Sequence, residues 1–157
     1  MKIKIIYIGK TVSSFLLDGE SEYLNRLKHY IKFEKIEISD IKNQKNLTID
    51  QIKHSEAKEL IKKIQPGDNV YLLDENGTTY SSHEFAKFIS KNNSAGLKNL
   101  TFIIGGAYGF SDDIHHIAKG KISLSKMTFS HQMVRMIFFE QLYRAMTIIK
   151  GEPYHHE

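Results

Sequence analysis

The sequence predicts an α/β protein with a mostly parallel sheet flanked by helices, and three observations carry that prediction. Segments with strand and helix periodicity alternate along the chain. The run Leu100 to Ile104 is almost wholly apolar, as a strand covered on both faces should be. It leads straight into Gly105-Gly106-Ala107-Tyr108-Gly109, a glycine-rich turn at the carboxyl end of a strand, which is where open α/β sheets bind ligands.

The elements follow in order. Lys2 to Ile8 alternates Ile3, Ile5 and Tyr7 against Lys2, Lys4 and Ile6, which predicts a strand with one well-buried face, ended by Gly9. Apolar residues at helical spacing predict a helix over Val12 to Ile31, with Arg26 and Lys28 near its carboxyl end, where the helix dipole favours cations. Phe33 to Ser39 reads as the second strand, and the Lys- and Asn-rich stretch from Asp40 to Leu47 as a loop. Thr48 with Gln51 forms a capping box opening a helix that Pro66-Gly67-Asp68 ends. A third strand is expected over Asn69 to Asp74, followed by a turn at Glu75-Asn76-Gly77. Ser81 with Glu84 forms a second capping box, opening the helix of Phe85, Phe88 and Ile89. After the fourth strand come a short helix around Asp112 to Ala118, a fifth strand near Lys121 to Ser125, and a long helix from about His131 to Lys150.

That last helix carries apolar side chains around most of its circumference, among them Met133, Met136, Phe138, Phe139, Leu142 and Met146. One face can lie on the sheet; covering the other calls for a partner, most simply a second copy of the chain. No repeat, linker or low-complexity tract interrupts the 157 residues, so 1–157 is expected to form one domain.

Composition excludes several classes of function. Hydrophobic residues make up 41% and charged residues 25%, the balance of an ordinary globular protein. Cysteine is absent, which removes thiol catalysis, disulfides and Cys-ligated zinc, and no metal is expected. The apolar run of the first ten residues is broken by Lys2 and Lys4 and resembles no secretory signal, and no stretch is long enough to span a bilayer, so a cytoplasmic location without membrane association is expected. Twenty-two basic against 18 acidic side chains leave a formal charge of +4, a mild bias towards anionic partners.

Two nucleotide motifs fail on spacing. Gly9-Lys10-Thr11 resembles the end of a P-loop, but Lys4 stands where the loop's first glycine belongs. Gly105-Gly106-x-x-Gly109 lacks the dinucleotide spacing, follows the fourth strand, and has Leu124-Ser125-Lys126 where an acidic residue would hold the ribose. The stretch Leu124 to Phe129 follows the neighbouring strand, and two adjoining loops at strand ends make a pocket.

Taken together, Ile104-Gly105-Gly106 with Gly109, Leu124-Ser125-Lys126-Met127-Thr128-Phe129, His131, Arg135, Glu140-Gln141-Leu142-Tyr143-Arg144-Ala145 and Tyr154-His155 closely resemble the bacterial ribosomal RNA large subunit methyltransferase H family. The resemblance implies a SPOUT-type α/β fold with a trefoil knot in its carboxyl-terminal part, and a homodimer. It also implies methyl transfer from S-adenosylmethionine to N3 of pseudouridine 1915 in helix 69 of 23S ribosomal RNA, with the assembled ribosome as the expected substrate. By matching motifs, the cofactor would contact Leu73, Gly105, Leu124, Ser125, Lys126, Met127, Thr128 and Phe129.

A flat, mostly apolar adenine suits Leu73, Leu124, Met127 and backbone amides. The protein must then align the attacking nitrogen and help to remove its proton. His131, Arg135, Arg144, Tyr154 and His155 are the candidates for that work. Each also has a structural reading: Glu140 lies four residues before Arg144 at ion-pair spacing, and His131 stands where a helix start uses polar side chains. Tyr154 and His155, in a tail after Gly151 and Pro153, have no core to join and are placed to stack on a splayed base.

Two departures from the family pattern stand out. Ser130 replaces the usual proline before the last helix and can cap it, and His156 replaces the usual terminal Lys or Arg. Two other readings use the same residues: a ribosome-binding assembly factor that keeps the cofactor pocket without catalysis, and a methyltransferase acting on transfer RNA. Because His156 carries charge only when protonated, RNA affinity is expected to fall between about pH 6 and about pH 8, a trend that filter binding at constant salt would read.

Overall fold

A computed structural model describes residues 1–156. Five strands, β1 (Lys2–Ile8), β2 (Lys32–Ile38), β3 (Asp68–Thr79), β4 (Asn99–Ile104) and β5 (Gly120–Ser123), form one sheet in the order β2-β1-β4-β3-β5. Every pairing is parallel. The helices are α1 (Ser14–Leu27), α2 (Ile49–Ile61), α3 (Ser82–Ser94), α4 (Asp112–Ile117) and α5 (Met133–Lys150). Among the described residues, no helix is long and apolar enough to cross a membrane.

The alternation of side chains sorts the core into two layers. Ile3, Ile5, Tyr7, Phe102 and Ile104 face Phe85, Phe138, Phe139 and Leu142 on one side of the sheet, under α1, α3 and α5. Ile6, Ile8, Leu72 and Ile103 face Ala57, Leu60 and Ile114 on the other, under α2 and α4. Both predicted capping boxes are present. Thr48 Oγ1 accepts the Gln51 N–H at 3.2 Å, Ser81 Oγ accepts the Glu84 N–H at 3.2 Å, and each Gln51 or Glu84 side chain reaches back to the cap.

The first strand departs from the one-faced reading, because both its faces are buried and Lys4 is 1% exposed. Its ammonium is tolerable there because it lies 2.7 Å from the Asp68 carboxylate. Asp68 also accepts the Gln65 N–H at 3.0 Å and the Asn99 side-chain amide at 2.8 Å, so all its donors come from the amino-terminal edge of the sheet. Burial works against the Asp68 charge, but Lys4 and these hydrogen bonds prevail and hold the carboxyl below its ordinary range.

The predicted turn at Glu75-Asn76-Gly77 is instead part of β3, which runs on to Thr79. Ile122 pairs with Leu73 before the irregularity and with Thr78 after it, so the intervening residues bulge from the ladder. Gly77 is needed for close approach rather than for turning: a Cβ there would stand 2.6 Å from the backbone of Ile122. The bulge pushes Asp74, Glu75 and Asn76 outward at the carboxyl edge. Helix α1 is shorter than predicted at both ends, and β5 stops at Ser123, leaving Leu124 onward as loop.

Replacing Asp68 by Asn should leave the Lys4 charge buried without a counterion and lower unfolding stability by about 3–5 kcal/mol. Thermal or urea denaturation near neutral pH measures this. In the unsubstituted protein, the Asp68 contribution is present above its ordinary carboxylate value and is lost as pH falls through its depressed folded value.

Candidate active site

Because all strands are parallel, their carboxyl ends share one edge. The connection from β4 to β5 must pass over the end of β3, which lies between them in the sheet. Beneath that crossing lies a cavity of about 680 Å³, walled by three segments: the end and bulge of β3, the glycine turn after β4, and the loop from β5 to α5. Such a volume is within the range of a small-molecule site, roughly 300–1,000 Å³.

Each wall is held by local bonds. In the glycine turn the Gly109 N–H donates to Gly106 O at 3.2 Å, with Gly109 at φ 77°. Gly105 leaves little room for a side chain, since a Cβ would sit 3.2 Å from the Phe110 ring and 3.3 Å from Gly109 O. In the β5–α5 loop, Ser123 Oγ donates to Ser125 O at 2.8 Å and Ser125 Oγ accepts the Met127 N–H at 2.9 Å. The Thr128 hydroxyl donates to the Glu75 carboxylate, tying this loop to the β3 bulge. Ser130 stands in for the usual proline as anticipated: its Oγ accepts the Met133 N–H at 3.1 Å at the start of α5.

Of the eight residues assigned to the cofactor, Leu73, Gly105, Leu124, Ser125, Met127, Thr128 and Phe129 line this cavity. Lys126 does not; it is exposed. Asp74, Glu75, Lys53 and His115 also line the cavity and escaped the sequence reading. Asp74 reads as the end of a strand and Glu75 as part of a turn, and Lys53 lies on a helix remote in sequence.

The five candidates for chemistry separate. His131 lines the cavity. Burial, and then the charge of Arg135, push its imidazole below the ordinary value, against a smaller pull from Asp40, so it is neutral at physiological pH.

Arg135 is fully buried on α5 and is absent from the cavity wall. Its guanidinium lies 4.2 Å from the centre of the Tyr7 ring and donates to Thr11 Oγ1 at 3.0 Å and to Ile8 O. Those contacts make it a structural tie between α5 and the end of β1.

Arg144, Tyr154 and His155 form a second cluster. Arg144 pairs with Glu140, as its spacing predicts, and its guanidinium lies 4.7 Å from the Tyr154 ring centre and 3.1 Å from His155 Nδ1. Tyr154 donates to Glu140 Oε1 at 3.1 Å and meets Tyr143 edge-on at 4.7 Å, while the His155 ring packs against His83. The tail is therefore folded back on α5, contrary to the expectation that it has nothing to join. It turns at Gly151 in a Schellman motif, with Gly151 N–H to Ile148 O and Glu152 N–H to Thr147 O. Burial raises the Tyr154 phenol well above its ordinary value, so it stays a donor at neutral pH. Arg144 stands eleven residues after Met133, about 16 Å along α5, while His131 precedes the start of the helix.

A family described as predicted SPOUT methyltransferase matches residues 1–155. The chain belongs to the SPOUT methyltransferase family. Whole-length relatives of this SPOUT chain are each named ribosomal RNA large subunit methyltransferase H. They include proteins from Parabacteroides distasonis at 52% identity, Flavobacterium psychrophilum at 54% and Bacteroides thetaiotaomicron at 46%, each aligned over 100% of both chains. Among the described residues, no group of three or more His, Cys, Asp or Glu side chains is placed to hold a metal ion.

The Arg135 tie predicts that Arg135→Ala lowers unfolding stability by about 3 kcal/mol, and the melting temperature by about 6–12 °C, through lost packing and an emptied polar niche. Differential scanning calorimetry decides it; a variant with unchanged melting would show that the residue is dispensable to the fold.

Proposed function

We propose that the protein transfers a methyl group from S-adenosylmethionine to N3 of a pseudouridine in the helix 69 region of 23S ribosomal RNA, acting in the cytoplasm as a homodimer on the assembled ribosome. The observation that carries the reading is the cavity at the carboxyl edge, with seven of the eight family cofactor positions on its wall. Whole-length relatives named for ribosomal RNA methylation support the substrate class. The trefoil knot and the extent of the domain, residues 1–157, belong to the same proposal.

The cavity fits the cofactor chemically. Leu73, Ile104, Ile122, Leu124 and Phe129 offer an apolar slot for a flat base, while Asp74 and Glu75 supply acceptors for hydroxyl groups and negative charge opposite a cation. The bound sulfonium supplies an activated methyl group. What the chain adds is alignment, exclusion of water and handling of the N3 proton. His131, neutral and on the cavity wall, is the group suited to accept that proton. Arg144 and a protonated Tyr154 are suited to stabilise negative charge developing on the uracil ring or to hold phosphate.

About 16 Å of helix lies between the start of α5 and Arg144, and Arg144, Tyr154 and His155 are absent from the cavity wall of their own chain, so a second copy is proposed to bring its tail cluster across. The surface beside the start of α5 suits that pairing. Val12 is 74% and Phe15 60% exposed there, next to half-buried Met136, and the Val12 N–H is bonded to Gln132 at 2.9 Å.

Ribosomes lacking the modification, incubated with labelled S-adenosylmethionine, should acquire methylated pseudouridine in 23S RNA. Binding without label would favour the assembly-factor reading, and label in transfer RNA the third. In single turnover, His131→Asn should slow methylation by roughly 10²-fold with cofactor affinity within about threefold of the unsubstituted enzyme. Arg144→Ala should slow it comparably, and mixing that variant with His131→Asn should restore partial activity, because the mixed dimer keeps one intact composite site.

A further inference from the structure

Beneath the glycine turn lies a carboxylate with no part in the chemistry described so far. Glu56, on the inward side of α2, is 4% exposed and makes no ion pair among the described residues. Its Oε2 is buried without a hydrogen-bond partner, while the backbone N–H of Gly106 lies close enough to favour the charged carboxylate. The two groups are in such close contact that a Cβ on Gly106 would run into the Glu56 carboxyl. Gly106 itself lines the cavity, as does Lys53, one turn before Glu56 on the same helix. A side chain at position 106 would therefore point away from the cavity, towards Glu56.

We propose that Glu56 is a positioning residue for the glycine floor of the cavity, and that gain or loss of its proton changes how firmly that floor holds S-adenosylmethionine. The inference rests on the cofactor reading of the cavity. An ionised Glu56 is a strong acceptor for the Gly106 N–H; a protonated one is a weak acceptor whose own proton must find a partner.

The surroundings place this switch near neutrality. Burial raises the Glu56 carboxyl to about 7, with Asp40, from the loop after β2, adding to the rise and the Gly106 N–H opposing it. Helix α4, packed against α2, presents His115, whose ring stacks edge-on with Phe110, and Asp113, which is paired with His54 of α2. From β1 and β4 the neighbouring side chains are the apolar Ile6, Ile8 and Ile103. His131 and Arg135 lie within reach of the same Asp40 charge.

The sign of the effect on stability is opposite to that on binding. A carboxyl whose folded value is raised contributes in full below its unfolded value, near 4.5, and that contribution disappears as pH rises through about 7. Above that pH, the ionised Glu56 weakens the fold while strengthening its hold on Gly106. A merely structural glutamate would not show both effects.

Nuclear magnetic resonance on the free protein tests the contact without any cofactor. The Glu56 carboxyl carbon and the Gly106 amide should titrate with a common midpoint near 7, and Glu56→Gln should abolish the Gly106 step. A carboxyl midpoint below about 5, or a Gly106 amide that does not respond, overturns the proposal. Calorimetry with S-adenosylmethionine then tests the coupling. The unsubstituted protein should bind about fivefold tighter at about pH 8 than at about pH 6, releasing protons, whereas Glu56→Gln, which keeps an acceptor oxygen but cannot ionise, should show a ratio near one.

Glu56→Gln should also melt about 2–4 °C higher than the unsubstituted protein at about pH 8. Gly106→Ala should weaken binding less when Glu56 is also Ala, because the collision is then relieved. An unaltered pH slope in Glu56→Gln overturns the coupling and leaves the cavity assignment standing. Failure of the unsubstituted protein to bind at any pH overturns both.

Discussion

The arrangement of the site depends on the buried guanidinium of Arg135. It rises from α5, lies on the Tyr7 ring, and donates to Ile8 O at the last residue of β1 and to Thr11 in the link to α1. One side chain thereby joins three elements. Such a charge is tolerable inside only because hydrogen bonds and an aromatic face replace the water it gave up. The tie sets where α5 begins relative to the sheet, and hence where His131 stands. The loop from Leu124 to Ser130 is held at one end by β5 and at the other by that anchored helix, with the Thr128–Glu75 bond tying its middle to β3.

A second constraint is the parallel sheet itself. With β4 between β1 and β3, the chain leaving β4 must cross the end of β3 to reach β5. That crossing brings the glycine turn, the β3 bulge and the β5–α5 loop against one cavity. The same helix that closes the cavity carries Arg144 and the returning tail far from it. A single copy thus holds the two halves of the proposed chemistry apart along α5, which would give the proposed dimer a catalytic reason as well as the packing reason offered by its apolar surface.

Much of this was legible in the residues. The capping boxes at Thr48 and Ser81 depend on side chains three positions apart, and the buried β4 on a run of apolar residues, so local chemistry sufficed. The Arg144–Glu140 pair and the Ser130 cap follow from spacing along a helix for the same reason. Lys4 misled because its partner, Asp68, is 64 positions away. Glu75-Asn76-Gly77 has the composition of a turn, but its glycine serves a close approach to Ile122, a strand distant in sequence. Arg135 has a polar composition and a core position, and no local pattern reveals the Tyr7 ring and the Ile8 carbonyl that receive it.

The sequence by itself determined the order of strands and helices along the chain, most helix starts and the glycine turn, since these arise from neighbours within a few positions, and its family motifs pointed to seven residues of the cavity wall. The tertiary structure alone decided which polar groups were for the fold and which for the site. It buried Arg135 and Lys4, left His131 at the cavity, folded Tyr154 back on α5, and set Glu56 under Gly106. The physical reason is desolvation: whether a charged side chain is a tie, a switch or a reactant depends on the partners that replace its water, and those partners are brought together only by the folded sheet.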